Sequence, residues 1–278
     1  MNFHIYHPAD ALRPFVKQYY YWEDNTRGTI QLPQNLFALG DQYLILMLEG
    51  KGEVKPAAHK SFSLTGNSIL GHITCASHFQ VEGPVKVAVI QLNAYGSYRL
   101  LGLHSECFTN YYRDLDIQDN LWSNTASSLK QITNMQEVEE LLDKACLTAM
   151  ESNSCNLKSV DDIADYMLIK LGNVSLEELS ERYTISKPTL ERLFNTIVGL
   201  PPLLYARMIK YRTAMRALQQ LNLSEWQLPM EATPFYNHAM FIHDYLQFNH
   251  QTPSYFASAT ATIAQMPGFN LDQVAVAS

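Results

Sequence analysis

The sequence predicts an α+β protein: a small N-terminal β-barrel, a helical connector, and an all-α C-terminal part with two helix-turn-helix units. Three observations predict it. β-Formers alternate through the first 118 residues, apolar residues shift to three- and four-residue spacing from Asn120, and five positions in the last third recur at a constant offset of 51 residues. A chain of 278 residues with 47% hydrophobic and 17% charged residues suits packed cores rather than disorder.

The β part is read from Phe15–Trp22, Tyr43–Leu48 and Val85–Leu92, with Gly50-Lys51-Gly52 as a hairpin turn. Several short strands joined by such turns form a barrel or sandwich. In the connector, Leu129, Ile132, Met135, Val138, Leu142 and Ala145 make the apolar stripe of one helix. That stripe is read first as intramolecular packing and second as the seam of a homodimer. Glu151–Ser159 is the best linker, so the divisions fall at 1–118, 119–157 and 158–260, with 261–278 as a flexible tail.

Punctuation in the last third is clear. Ile163, Ala164, Met167, Leu168 and Leu171 form an apolar face that stops at Gly172. Ser175-Leu176-Glu177-Glu178 is a capping-box pattern. After Tyr183-Thr184-Ile185, Ser186 caps a further helix with Pro188 in its first turn, burying Leu190, Phe194 and Ile197 and ending at Gly199. Two short helices across such a turn are a helix-turn-helix. The offset then pairs Leu190, Phe194, Gly199, Pro202 and Tyr205 with Phe241, Tyr245, His250, Pro253 and Phe256, which predicts a second copy. The continuous helix between them, Leu203–Gln220, is roughly 27 Å long, near the roughly 34 Å between successive major-groove faces of a duplex.

The run LEELSERYTISKPTLERLFNTIVGLPPLLYARMIKYRTAMRAL, followed by PFYNHAMFIHDYLQFNHQTPSYF, resembles the C-terminal DNA-binding domain of AraC/XylS-type transcriptional regulators. The resemblance rests on the Ser186 cap, the Leu190, Phe194 and Gly199 spacing, Lys210 at a usual arginine position, and Ala214. Ahead of it, LRPFVKQYYYW, LPQNLF and LNAYGSYRLLGLHSECFTN are similar to a cupin-like N-terminal domain, a looser match. The resemblance implies that Pro188, Glu191, Arg192 and Asn195 face the major groove, while Ser186, Lys187, Arg207, Lys210 and Arg212 contact phosphate. Arg192 has the fork for guanine and Glu191 can accept from cytosine. Charge points the same way. Between Arg182 and Arg216 stand seven Arg and Lys against Glu191 alone, in a chain of net charge −7.

The second unit departs from the pattern. Pro229-Met230 and Pro234 replace the usual Ile-Ala and Gly, and proline inside a helix costs about 3 kcal/mol. Its groove positions, Asn237, His238, Ile242 and His243, include no Lys or Arg, and Glu225, Glu231, Asp244 and Asp272 would repel phosphate. DNA contact is therefore expected to be one-sided, through the first unit.

Other functions are disfavoured. His238, His243 and His250 lack the i, i+4 spacing of a helical metal site, and His72, Cys75, His78 and Glu82 are too irregular to be a ligand set, so no metal and no cofactor is expected. Neither a phosphate-binding Gly loop nor a nucleophile elbow is present. Cys75, Cys107, Cys146 and Cys155 form no C-x-x-C pair and read as free thiols. With no apolar run of membrane-spanning length the chain is placed in the cytoplasm, away from membranes. The expected partners are double-stranded DNA, a small-molecule effector and a second copy of the chain. The alternatives are a ligand-binding or protein-interaction protein whose DNA-binding module has decayed and, less well supported, a metal-dependent cupin-like enzyme.

Overall fold

The computed structural model describes residues 2–30, 40–115, 120–153, 158–220 and 238–249. Among these residues seven antiparallel strands come first: β1 Asn2–Tyr6, β2 Val16–Ile30, β3 Gln42–Pro56, β4 Phe62–Leu64, β5 Asn67–Leu70, β6 Ser77–Leu92 and β7 Tyr112–Asp114. Helix α1, Gly96–Leu101, lies between β6 and β7. Seven more helices follow: α2 Asn120–Gln131, α3 Gln136–Ser152, α4 Lys158–Ile169, α5 Leu176–Arg182, α6 Lys187–Val198, α7 Pro202–Gln220 and α8 His238–Asn249. No helix among the described residues is long and apolar enough to cross a membrane.

Sheet order is β1-β2-β6-β3-β5-β7, with β4 paired to β3. This path has two ends among the described residues, so the expected barrel is an open sheet. Alternation gives the sheet two apolar faces. Tyr19, Tyr21, Leu44, Leu46, Ala88 and Ile90 pack on α2 and α3, while Tyr20, Trp22, Tyr43, Ile45, Val87 and Val89 belong to a separate core.

The expected hairpin at Gly50 is instead a bend inside one long strand. β3 pairs with β6 on both sides of it, Met47 with Val87 and Gly52 with Val81, with register shifts at Glu49. Gly50 has φ +85° and a Cβ there would lie 2.6 Å from Pro84 O, so glycine permits both the backbone turn and the close approach. β2 slips against β6 at a similar level, between Asp24 and Gly28. These bends bring Val54, Phe62, Leu64 and Val81 into one core with Trp22 and Ile45.

The connector stripe belongs to two helices rather than one. Asn134 Oδ1 accepts from Gln136 N at 3.1 Å in the break between α2 and α3. Leu129, Val138 and Leu142 are fully buried against the sheet and Ala145 nearly so, while Ile132 and Met135 are half-buried, so the stripe packs chiefly within the chain.

Around the helical core, Val160, Ile163, Ala164, Met167, Leu179, Leu190, Phe194 and Ile197 are all fully buried. Ala94 and Tyr95, from the turn before α1, share that core, so the two halves of the chain are packed together.

Candidate nucleic-acid interface

Local signals build the first helix-turn-helix as the sequence expects. Ser175 Oγ caps α5 by accepting from Glu178 N at 3.1 Å, but the Glu178 carboxylate accepts from Tyr166 OH at 2.6 Å. The turn passes through Thr184 at φ +51°, and Ser180 Oγ donates to Ile185 O at 2.6 Å. Ser186 then accepts from Thr189 N at 3.4 Å, Pro188 sits in the first turn of α6, and Gly199 ends the helix at φ +84°. Replacing Ser186 with Ala is expected to cost about 1 kcal/mol of stability, read as a lower urea midpoint at unchanged m.

Leu190, Phe194 and Ile197 are buried in α6. The opposite side exposes Lys187, Pro188, Glu191 and Arg192, with Asn195 half-buried at its far end. Arg192 is in no ion pair among the described residues. Lys187 bonds Glu177, but both side chains are largely exposed and such a pair contributes little. Arg182 stacks over Tyr166, its guanidinium 4.2 Å from the ring centroid.

Farther along the basic run, the structure departs from a simple basic patch. Arg207 Nε donates to Asp244 Oδ1 at 3.0 Å, and Arg207 also donates to Gln247 Oε1 at 2.6 Å. Arg212 Nη1 donates to Asp41 Oδ1 at 3.1 Å. Both were expected at phosphates, and both are engaged by carboxylates distant in sequence. Lys210 is half-buried; burial holds its pKa below the usual lysine value, against the opposing pull of Asp244. Asp244 in turn is 3% exposed, so it is not the phosphate-repelling group the sequence suggests.

α8 is packed as a copy of α6. Phe241, Tyr245 and Phe248 are buried around Tyr211 of α7, and the first two are the offset partners of Leu190 and Phe194. On its outer side His243 is exposed and Ile242 half-buried. Asn237, the His238 side chain, His250, Pro229-Met230, Pro234, Phe235, Glu225, Glu231, Asp272, Cys155, the LPQNLF segment and the 261–278 tail lie outside the described residues.

The sequence did not single out the carboxylate that joins the two halves. Asp41 Oδ1 accepts from Lys17 Nζ at 2.5 Å as well as from Arg212, and its Oδ2 accepts from Gln91 Nε2 at 2.6 Å. Burial alone would raise the Asp41 pKa, but the charges of Lys17 and Arg212 outweigh it and hold the carboxyl below its usual range. A second contact pairs Arg99 Nε of α1 with Asp161 Oδ2 of α4 at 2.8 Å. The only sequence signal for Asp41 is a lone acid ahead of a β run, which is too common to be diagnostic.

Inside the bent sheet lies a small cavity of about 30 Å³, partly open to solvent. Its lining is mostly apolar, including Trp22, Ile45, Met47, Val54, Leu64, Phe79 and Val87, with Glu53 and Gln80 also contributing. Trp22 Nε1 is buried without a hydrogen-bond partner among the described residues. His72 sits elsewhere, fully buried with Nε2 3.4 Å from Ala94 O, and burial pushes its pKa down to about 4. Among the described residues no three His, Cys, Asp or Glu side chains converge on a metal-sized site.

No family model and no curated protein matches this chain. Solved structures of ToxT from Vibrio cholerae do resemble it. The apo form of a ToxT variant from strain SCE256 is 11% identical, with 86% of this chain and 97% of ToxT covered at a TM-score of 0.44. ToxT from strain O395 is 12% identical, covering 88% and 98% at 0.43. A crystal structure described as the AraC-like transcriptional activator CuxR is 15% identical, covering 74% and 83% at 0.30.

Proposed function

We propose that the chain is a sequence-specific DNA-binding transcriptional regulator of the AraC/XylS type, in which α6 enters the major groove. The observation that carries this reading is the face of α6: a capped helix after a tight turn, with Leu190, Phe194 and Ile197 buried and Lys187, Pro188, Glu191 and Arg192 presented outward. Helix-turn-helix units read bases through the N-terminal part of such a helix. DNA contact is one-sided in this reading. α6 presents Lys187 and Arg192, whereas the outer side of α8 offers Ile242 and His243.

Selection of duplexes at low salt is the test. Arg192→Ala should lose about 1–3 kcal/mol on the selected site and relax preference at one base pair, as expected for loss of a bidentate guanine contact. Equal losses on selected and random DNA would sink the assignment.

The bent sheet supplies the effector site in the same proposal. Its cavity is lined chiefly by aliphatic and aromatic side chains, and no Lys or Arg among the described residues lines it, so it favours an apolar, uncharged molecule.

A further inference from the structure

α8 carries no Lys or Arg, yet it holds an arginine of the basic run. Three of its side chains converge on Arg207 of α7. Asp244 Oδ1 accepts from Nε at 3.0 Å and also from Nη2, Gln247 Oε1 accepts from Nη2 at 2.6 Å, and His243 Nδ1 lies 3.2 Å from Nη2. Gln247 follows His243 at i+4 and Asp244 at i+3, so they share one strip of the helix. The carboxylate on Arg207 thus comes from the second helix-turn-helix unit. Arg212 and Asn195 differ, because they bond Asp41 at 3.1 Å and Glu106 at 3.2 Å, both in the sheet half.

Engagement of this kind does not take the arginine out of use. A guanidinium donates from Nε, Nη1 and Nη2 in one rigid plane. α8 occupies the edge made by Nε and Nη2, and Nη1 makes no hydrogen bond among the described residues. The Arg207 side chain is 34% exposed, whereas that of Asp244 is 4% exposed. The anion is shut away from solvent and the cation is not. Phe248 lies against the same guanidinium, its ring centroid 6.0 Å from Arg207 Cζ. Lys210, one turn farther along α7, also faces Asp244, which opposes the lowering of its pKa by burial. One carboxylate therefore faces two cations, and the site keeps a net positive charge.

We propose that α8 is a positioning helix, in which Asp244 and Gln247 fix the Arg207 guanidinium so that Nη1 meets a phosphate of the duplex read by α6. The proposal rests on α6 being the groove helix. An arginine loses much rotamer freedom when it docks on phosphate. Holding it in place beforehand removes that cost from the binding step. The carboxylate also sets the plane of the fork, on which the geometry of a charge-assisted bond to phosphate depends. α8 then needs no cation of its own, because its contribution to DNA binding passes through Arg207.

The test uses the full chain and a duplex selected by it at low salt. Arg207→Ala should weaken selected and random duplexes alike and lower the slope of log affinity against log salt by about one unit, as loss of one phosphate contact does. Asp244→Asn and Gln247→Ala should each weaken binding roughly threefold to tenfold, the scale of a charge-assisted hydrogen bond, and lower the same slope. In the Arg207→Ala background neither should weaken binding further. Gln247 is exposed, so its variant reads the contact where Asp244→Asn destabilises the fold. A merely structural role would reduce the active fraction and leave the slope unchanged. Wild-type affinity and slope in Gln247→Ala or in Arg207→Ala, or tighter binding by either α8 variant, overturns the positioning role and leaves the groove-helix reading standing. Should the wild type hold no duplex, the groove-helix reading falls and the positioning role with it.

Discussion

Replacing Asp41 with Ala is expected to lower the free energy of unfolding by about 3–5 kcal/mol, the range for removing one partner of a buried ion pair. The Asp41 side chain is 4% exposed and receives Lys17 and Arg212, which are 30% and 21% exposed. Removing it takes the shared anion from two partly buried cations that face each other, and takes the Oδ2 acceptor from Gln91 Nε2. Asp41→Asn keeps the shape but not the charge and should lose nearly as much. Urea unfolding at unchanged m reads both variants, and a loss under about 1 kcal/mol would refute this account of the cluster.

The pH dependence has a definite sign. Because the folded pKa of Asp41 is depressed, its contribution is fully present above the unfolded carboxylate value of about 3.9 and is lost as pH falls through the lower folded value. The Asp41→Ala protein should lack that acid-sensitive component. Asp161 acts oppositely: burial raises its pKa despite Arg99, so its contribution is fully present below the unfolded value and is lost as pH rises through the raised one.

Leu142→Glu should be more damaging still, with an expected loss above about 4 kcal/mol, the exceptional range reached when an unpaired charge is buried. Read as a dimer seam, the stripe predicts a folded monomer from this substitution. The structure predicts an unfolded or insoluble chain, because Leu142 is fully buried among residues of the sheet, α2 and α3. Circular dichroism and sedimentation of the variant separate these outcomes. A soluble variant with the wild-type unfolding midpoint would refute the intramolecular assignment.

The sequence by itself determined what short-range chemistry determines. Caps at Ser175 and Ser186, Pro188 in the first turn and Gly199 at the end are settled within a few residues, so α5 and α6 and their buried faces were legible. The 51-residue offset foretold the burial of Phe241 and Tyr245 for the same reason, since a repeated period repeats a face. The division of the connector stripe was less legible, because apolar period alone does not show where a helix breaks at Asn134. Nor did it tell an intramolecular partner from a second copy. At Gly50, a Gly-x-Gly signal serves equally for a hairpin and for a bend in a strand held on both sides by β6.

Only the tertiary structure decided which charges of the basic run remain exposed. Arg212 and Asp41 are 171 positions apart, Arg207 and Asp244 are 37, and Asn195 and Glu106 are 89. Counting seven cations between Arg182 and Arg216 located the basic run but could not foresee that three of them, Lys187, Arg207 and Arg212, meet carboxylates outside it. Composition fixes how much charge a chain carries, but pairing depends on distance and burial, which exist only once the chain has folded.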